Sequence, residues 1–174
     1  MEQKFKLYNP FQLPLRLSDD IFYLDQCEGH LDNACGTIAV IHSLLNHRDM
    51  VGLTGTDSPI ENYYQKAKDT TNFTDRGRAL DADEKVAEIH NSLVAKGQSR
   101  MVSCEKVCHH FVSLVEFRNH LVELDGAYND GPYVVEELKG GDFMERAIEF
   151  IKKKYMDHIG GIQFSLMALV MKSE

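Results

Sequence analysis

Apolar residues recur at 38, 41, 44 and 45 between positions 35 and 47, the spacing that turns one stripe of a helix towards a core, so a helix is predicted over 35–47. Ser58-Pro59 joins a capping residue to a proline at the first helical position and predicts a helix over 59–69. Residues 70–77 read as loop. A further helix is predicted over 80–93, with Leu80, Val86, Ile89 and Leu93 on one side. Gly97, Gln98, Ser99 and Arg100 mark 95–103 as a surface loop. The pattern then changes. Residues 111–117 and 120–124 are rich in valine and leucine, and Arg118-Asn119 between them fits a two-residue β-hairpin. A turn-rich loop covers 126–132, a helix capped by Asp142 covers 142–155, and an apolar strand covers 162–171. Near the start, 21–24 is a short strand candidate between a proline-bearing lead-in and a polar loop over 25–33. Helices come first and strands second, with one late helix. That order predicts an α+β fold in one domain spanning 1–174, without repeat or linker.

Composition narrows the partners. The 174 residues are 43% apolar, enough for a real core, and 27 acidic against 19 basic residues give a net charge of −8. Such a balance disfavours nucleic acid and suits a basic protein surface. No basic-then-apolar signal segment opens the chain and no apolar run reaches membrane-spanning length, about 18 residues. A cytosolic, or cytosolic and nuclear, protein is expected. There the cysteines Cys27, Cys35, Cys104 and Cys108 would be reduced, catalytic or metal-bound rather than paired.

Cys35 stands out because it opens the 35–47 helix in Asn33-Ala34-Cys35-Gly36. Unpaired backbone N–H groups and the positive end of the helix dipole favour thiolate there, and thiolate is the nucleophile. His110 lies before a strand and Asp125 fifteen residues beyond it in Leu124-Asp125-Gly126. Cysteine, histidine and aspartate are the parts of a thiol hydrolase. Each has a plainer alternative: a small core residue, a structural histidine, a turn aspartate. Asn33 reads as the helix N-cap, His109 as exposed or structural, and Lys152-Lys153-Lys154 as a solvated helix face. Cys27 with His30 and Cys104 with Cys108 could suggest zinc. The spacings match no recognised signature, however, and a strand over 107–112 would splay alternate side chains, so neither metal nor cofactor is expected.

These two blocks resemble the ubiquitin C-terminal hydrolase family, the thiol deubiquitinases of the papain-like clan. The family's Asn-Ala-Cys-Gly-Thr before an apolar helix is matched by Asn33-Ala34-Cys35-Gly36-Thr37-Ile38. Its histidine, hairpin and Glu-Leu-Asp-Gly are matched by His110-Phe111-Val112 and by Glu123-Leu124-Asp125-Gly126. The resemblance covers about residues 21–171. It implies a papain-like core with a helical lobe packed on a central antiparallel sheet, and a crossover loop near 93–104 above the active site. It also implies hydrolysis of amide, ester or thioester bonds at the C-terminal glycine of ubiquitin or a ubiquitin-like protein, which would be the partner. Cys35 would be the nucleophile, His110 the general base and Asp125 its orienting group.

Two departures accompany the resemblance. The family's oxyanion-donating glutamine lies six residues before the nucleophile, where this chain has Gly29; the nearest glutamine, Gln26, lies nine before Cys35. Gln26 follows a run like the family's approach to its glutamine and is the candidate for that role. The chain also has fewer residues before this segment than family catalytic domains and no tryptophan. A shortened sheet is therefore expected, with reduced activity. The alternative function is a weakly active or inactive ubiquitin binder of the same fold.

Overall fold

The structure is a computed structural model and describes residues 20–27, 29, 31, 33–96, 110–128, 130–156 and 165–170. Five α-helices and a three-stranded sheet are present among them. The helices are α1 (Cys35–Leu45), α2 (Pro59–Ala67), α3 (Phe73–Asp81), α4 (Glu84–Lys96) and α5 (Phe143–Ile151), the last running into a π-helical turn at Lys152–Met156. Strands β1 (Ser113–Phe117), β2 (His120–Leu124) and β3 (Tyr133–Glu137) pair antiparallel in sequence order. The α+β expectation holds. No helix of the described residues is long and apolar enough to cross a membrane.

Local chemistry explains most boundaries. Ser58 accepts from the Glu61 N–H at 3.2 Å and starts α2, with Pro59 at the first helical position. Asp142 accepts from the Met144 N–H at 2.7 Å and starts α5. Arg118 and Asn119 carry φ of 48° and 62°, the left-handed pair of a two-residue hairpin, and the register closes at Phe117↔His120.

Several expectations fail. Residues 70–77 were expected as loop, yet α3 begins at Phe73. Asn72 caps it by accepting from the Asp75 N–H at 3.0 Å, and Asp75 complements the dipole, so polar residues that resemble a loop are a helix start. The single helix over 80–93 is two helices, because Asp83 accepts from the Val86 N–H at 3.2 Å and restarts the chain as α4. Leu80 and Val86 are buried, but Ile89 and Leu93 are 45% and 63% exposed and His90 takes the inner face. Residues 165–170 form no strand and expose Leu166, Met167, Leu169 and Val170; 162–164 and 171 lie outside the described residues. The Lys152–Lys154 face is not wholly solvated. Lys154 reaches Glu123, which is 3% exposed, and Tyr155 donates to the same carboxylate. In addition, β3 forms where the sequence offered no assignment.

The fourth strand candidate, 21–24, is extended and buried but belongs to no ladder. It forms a strap between two lobes. Phe22 and Leu24 enter the helical core with Ile38, Ile41, Leu45, Tyr63 and Leu80. Ile21 and Tyr23 enter the sheet core with Val115, Val122 and Leu124. A third cluster, Leu121, Leu138 and Ala147, joins the other sheet face to α5. The strap's backbone finds its partners outside any sheet. Asn46 accepts from the Phe22 N–H at 2.8 Å and donates to the Phe22 carbonyl at 2.9 Å. His42 Nε2 accepts from the Leu24 N–H at 3.2 Å, and Arg76 donates to the Tyr23 carbonyl at 3.1 Å.

Helix α3 lies so close to the strap that only glycine fits at 77. A Cβ there would come within 2.1 Å of the Asp25 carbonyl oxygen. Gly77→Ala should therefore destabilise by about 1–3 kcal/mol through overpacking. The measurement is urea unfolding; a midpoint equal to the parent's would show that α3 and the strap are not in contact.

Candidate active site

The site forms where α1, the strap and the loop after β2 meet. Cys35 is the first residue of α1 and half-buried. The first i to i−4 bond of this helix runs from the Ile38 N–H to the Ala34 carbonyl at 2.8 Å, so the N–H groups of 35–37 have no partner within the helix. The expected Asn33 cap is not formed. Asn33 sits at φ 55°, Ala34 occupies the cap position, and no side chain caps the helix. Asn33 turns the chain sharply into the helix and leaves the helix start open.

His110 approaches from the lead-in to β1 and Asp125 from the end of β2, so the hairpin brings together residues fifteen apart. His110 Nε2 lies 2.5 Å from Asp125 Oδ1. That oxygen also accepts from the Ala127 N–H at 2.9 Å. With Nε2 engaged, Nδ1 is the ring nitrogen left for sulfur. The hydrogen bond to Asp125, then the one to Cys35, push the His110 pKa up to about 10. The hydrogen bond with His110 holds the Cys35 thiol below its usual range against the opposing effect of burial; backbone N–H groups of Phe111 and Gly36 assist. Burial works against charge on Asp125, but the His110 and Ala127 hydrogen bonds outweigh it and keep the carboxyl below its ordinary range. All three shifts favour a thiolate–imidazolium pair oriented by a carboxylate.

The turn carrying Asp125 is held from behind. Gln26 donates its backbone N–H to the Gly126 carbonyl at 2.6 Å, and the Tyr23 hydroxyl donates to the carbonyls of Asp125 and Tyr128. A Cβ on Gly126 would come within 2.9 Å of Ile38, so the turn also packs directly on α1. The Gln26 side chain is exposed, on the strap residue whose backbone is bonded to the Asp125 turn.

His42, two turns beyond Cys35 on α1, is wholly buried against Tyr23, with ring centroids 5.0 Å apart and planes 12° apart. Burial keeps it neutral, with its pKa pushed down to about 4. The sequence reading gives Tyr23 and His42 no role at the site and places Lys154 only on a solvated helix face. A tyrosine inside an apolar run was the available signal, since a buried hydroxyl needs an acceptor. His30, Cys104, Cys108, His109 and most of the crossover loop lie outside the described residues; the rest of that loop, 93–96, is the end of α4. Cys27 is a free thiol whose sulfur lies 3.6 Å from the Thr74 carbonyl, and burial, its largest influence, raises its pKa.

Residues 6–157 match the family model described as ubiquitin carboxyl-terminal hydrolase, family 1. A ubiquitin carboxyl-terminal hydrolase of Drosophila melanogaster is 38% identical over 108 residues, covering 62% of this chain and 44% of its own length. A probable ubiquitin carboxyl-terminal hydrolase of Dictyostelium discoideum is 32% identical over 163 residues, covering 90% and 59%. The human isozyme L1 is 28% identical over 155 residues, covering 88% and 65%. The chain thus spans between 44% and 65% of the length of these relatives. Among solved structures, the Trichinella spiralis UCH37 catalytic domain bound to ubiquitin vinyl methyl ester matches with a TM-score of 0.64 at 24% identity, covering 88% of this chain and 64% of that one. At that identity the likeness shows the fold, which is the papain-like one expected. A family match across 6–157, together with a cysteine at a helix start facing a histidine–aspartate pair, means that this chain belongs to the ubiquitin C-terminal hydrolase family.

Proposed function

We propose that this chain is a thiol hydrolase that cleaves amide, ester or thioester bonds at the C-terminal glycine of ubiquitin or a ubiquitin-like protein. The observation that carries this is the Cys35–His110–Asp125 arrangement, with His110 Nε2 at 2.5 Å from Asp125 and the Cys35 thiol held low by His110. The UCH37 structure with ubiquitin vinyl methyl ester supports ubiquitin's tail as the partner. The net charge of −8 suits a tail that carries arginines. A reducing compartment, cytosol or cytosol and nucleus, keeps Cys35 a free thiol.

The Cys35 thiolate attacks the carbonyl carbon of the terminal glycine, and the carbonyl electron pair moves onto oxygen. The Cys35 backbone N–H and the Gln26 amide stabilise that oxyanion. The pair returns, the bond to the leaving group breaks, and the His110 imidazolium gives its proton to the departing amine. Water then attacks the thioester while His110 takes its proton. The C–S bond breaks, the thiolate–imidazolium pair is restored, and the ubiquitin carboxyl group loses its remaining proton to solvent as it leaves. Asp125 orients the ring and stabilises its charged form throughout.

A fluorogenic ubiquitin amide tests the roles directly. Cys35→Ala and His110→Ala should abolish turnover with thermal unfolding close to the parent's, and His109→Ala should keep most of it. Turnover retained by Cys35→Ala would remove Cys35 as nucleophile. An active-site probe built on the ubiquitin C-terminus should become covalently attached to Cys35. Reversible association alone would instead favour the binder reading, which Gly29 at the family's glutamine position supports.

The pH profile of turnover should be bell-shaped. Its acid limb reports protonation of Cys35 and lies below the ordinary thiol value of about 8.5. Its alkaline limb reports loss of the imidazolium proton near 10. Asp125→Asn removes the negative charge that helps raise His110, so it should draw the limbs together; limbs that do not move would exclude Asp125 as the orienting group. Gln26→Ala should lower turnover by about 100-fold if its amide serves the oxyanion. A loss below about threefold would assign that task to the backbone alone.

A further inference from the structure

Tyr23 lies directly behind the Asp125 turn and has no solvent exposure. Its ring is clamped on two sides. The imidazole of His42 stacks against it, and Phe73 stands edge-on with centroids 5.0 Å apart and planes at 78°. So held, the phenol can aim its hydroxyl in one direction only. That direction is the Asp125 carbonyl and, 2.6 Å away, the Tyr128 carbonyl. These two carbonyls belong to the ends of one tight turn, in which the Tyr128 N–H also donates to the Asp125 carbonyl at 3.0 Å. The carboxylate of Asp125 projects from the same residue and meets His110 on its other side.

We propose that Tyr23 is a positioning residue for the catalytic triad: its hydroxyl clamps the 125–128 turn and so sets the angle at which the Asp125 carboxylate meets His110. The assignment rests on the roles proposed above for Cys35, His110 and Asp125. Three features point beyond a merely structural tyrosine. The hydroxyl is shared by two carbonyls of the turn that carries the orienting carboxylate. Its ring stacks on α1, the helix that carries the nucleophile, so one side chain spans both halves of the site. Burial, with Asp25, Asp125 and Asp130 nearby, pushes its pKa up, so it stays a neutral donor. Tyr63 provides the contrast: it is equally buried, and its hydroxyl donates to the Arg76 carbonyl at 2.9 Å, within the helical lobe.

The experiment compares the full chain with its Tyr23→Phe, Tyr63→Phe and Asp125→Asn variants. Phenylalanine at 23 keeps the ring contacts and removes only the donor. The first readout is the pH dependence of iodoacetamide alkylation at the Cys35 peptide, which requires no ubiquitin. The second is kcat and KM on the fluorogenic ubiquitin amide. Tyr23→Phe should move the alkylation inflection to higher pH, in the same direction as Asp125→Asn. It should lower kcat by about 10- to 100-fold with KM little changed, the effect of a slightly misplaced catalytic group. His42 contributes nothing to such a shift because it stays neutral above about 4; Asp25, Asp130 and Lys154 are the same in every variant. Tyr63→Phe should lower the unfolding midpoint and leave the inflection where it is. A Tyr23→Phe inflection and kcat no different from those of Tyr63→Phe would overturn the proposal while leaving the triad intact. An ordinary thiol inflection in the parent chain would overturn the triad and this role together. Should Tyr23→Phe fail to fold, the Tyr23 hydroxyl proton of the parent decides: a resonance protected from solvent exchange supports the clamp, and rapid exchange overturns it.

Discussion

A buried extended segment must find a partner for every backbone N–H and C=O, and outside a sheet those partners can only come from side chains and loops. Residues 22–26 answer much of this constraint by recruiting groups from several elements around them. Asn46 and His42 from α1 serve Phe22 and Leu24; Arg76 and the Phe73 carbonyl serve Tyr23 and Asp25 from α3; and Gly126 serves Gln26 from the catalytic turn. The alternation of side chains along the strap then divides the interior in two, Phe22 and Leu24 to the helices and Ile21 and Tyr23 to the sheet. Both lobes are thereby registered against one piece of backbone. The relative placement of Cys35 and Asp125 follows from that shared reference together with the direct packing of the Gly126 turn on Ile38 of α1.

Electrostatics at the site follows the same economy. The helix start donates to sulfur, the imidazole donates to the carboxylate, and the carboxylate is steadied by the Ala127 N–H. Each group is stabilised in its charged form by the next, so burial, which alone would neutralise all three, is offset by hydrogen bonds. Asn33 contributes by not capping α1. A side-chain cap would occupy N–H groups that are otherwise free to face sulfur and a developing oxyanion.

Where a structural decision is local, the sequence discloses it. The Ser58-Pro59 start, the Arg118-Asn119 hairpin, the Asp142 cap and the amphipathic stripe of α1 each depend on residues a few positions apart, and all are as expected. The Cys35, His110 and Asp125 candidates were legible because a motif fixes their order and spacing, and the hairpin brings the latter two together. Non-local decisions were not legible. α3 is polar outside and depends on Gly77 nestling against Asp25; β3 is only half-buried and lacks a strong pattern; the strap looks like a strand but satisfies its backbone elsewhere. Ile89 and Leu93 have helical spacing, yet α4 turns His90 inward and leaves them outside. Nothing in Tyr23's neighbours along the chain discloses an acceptor 102 residues away.

Glu123 and Lys154 have a consequence for how such a chain can diverge. The carboxylate is 3% exposed and the ammonium 18%, and Tyr155 shares the same acceptor. Removing one member strands the other charge, at about 3–5 kcal/mol, much of the roughly 5–15 kcal/mol that keeps a domain folded. Replacing both with well-packed apolar residues can be neutral. Single substitutions at either position are thus filtered out while paired ones pass. Over a lineage the two sites should change in concert, an epistatic lock between β2 and the π-helical turn after α5.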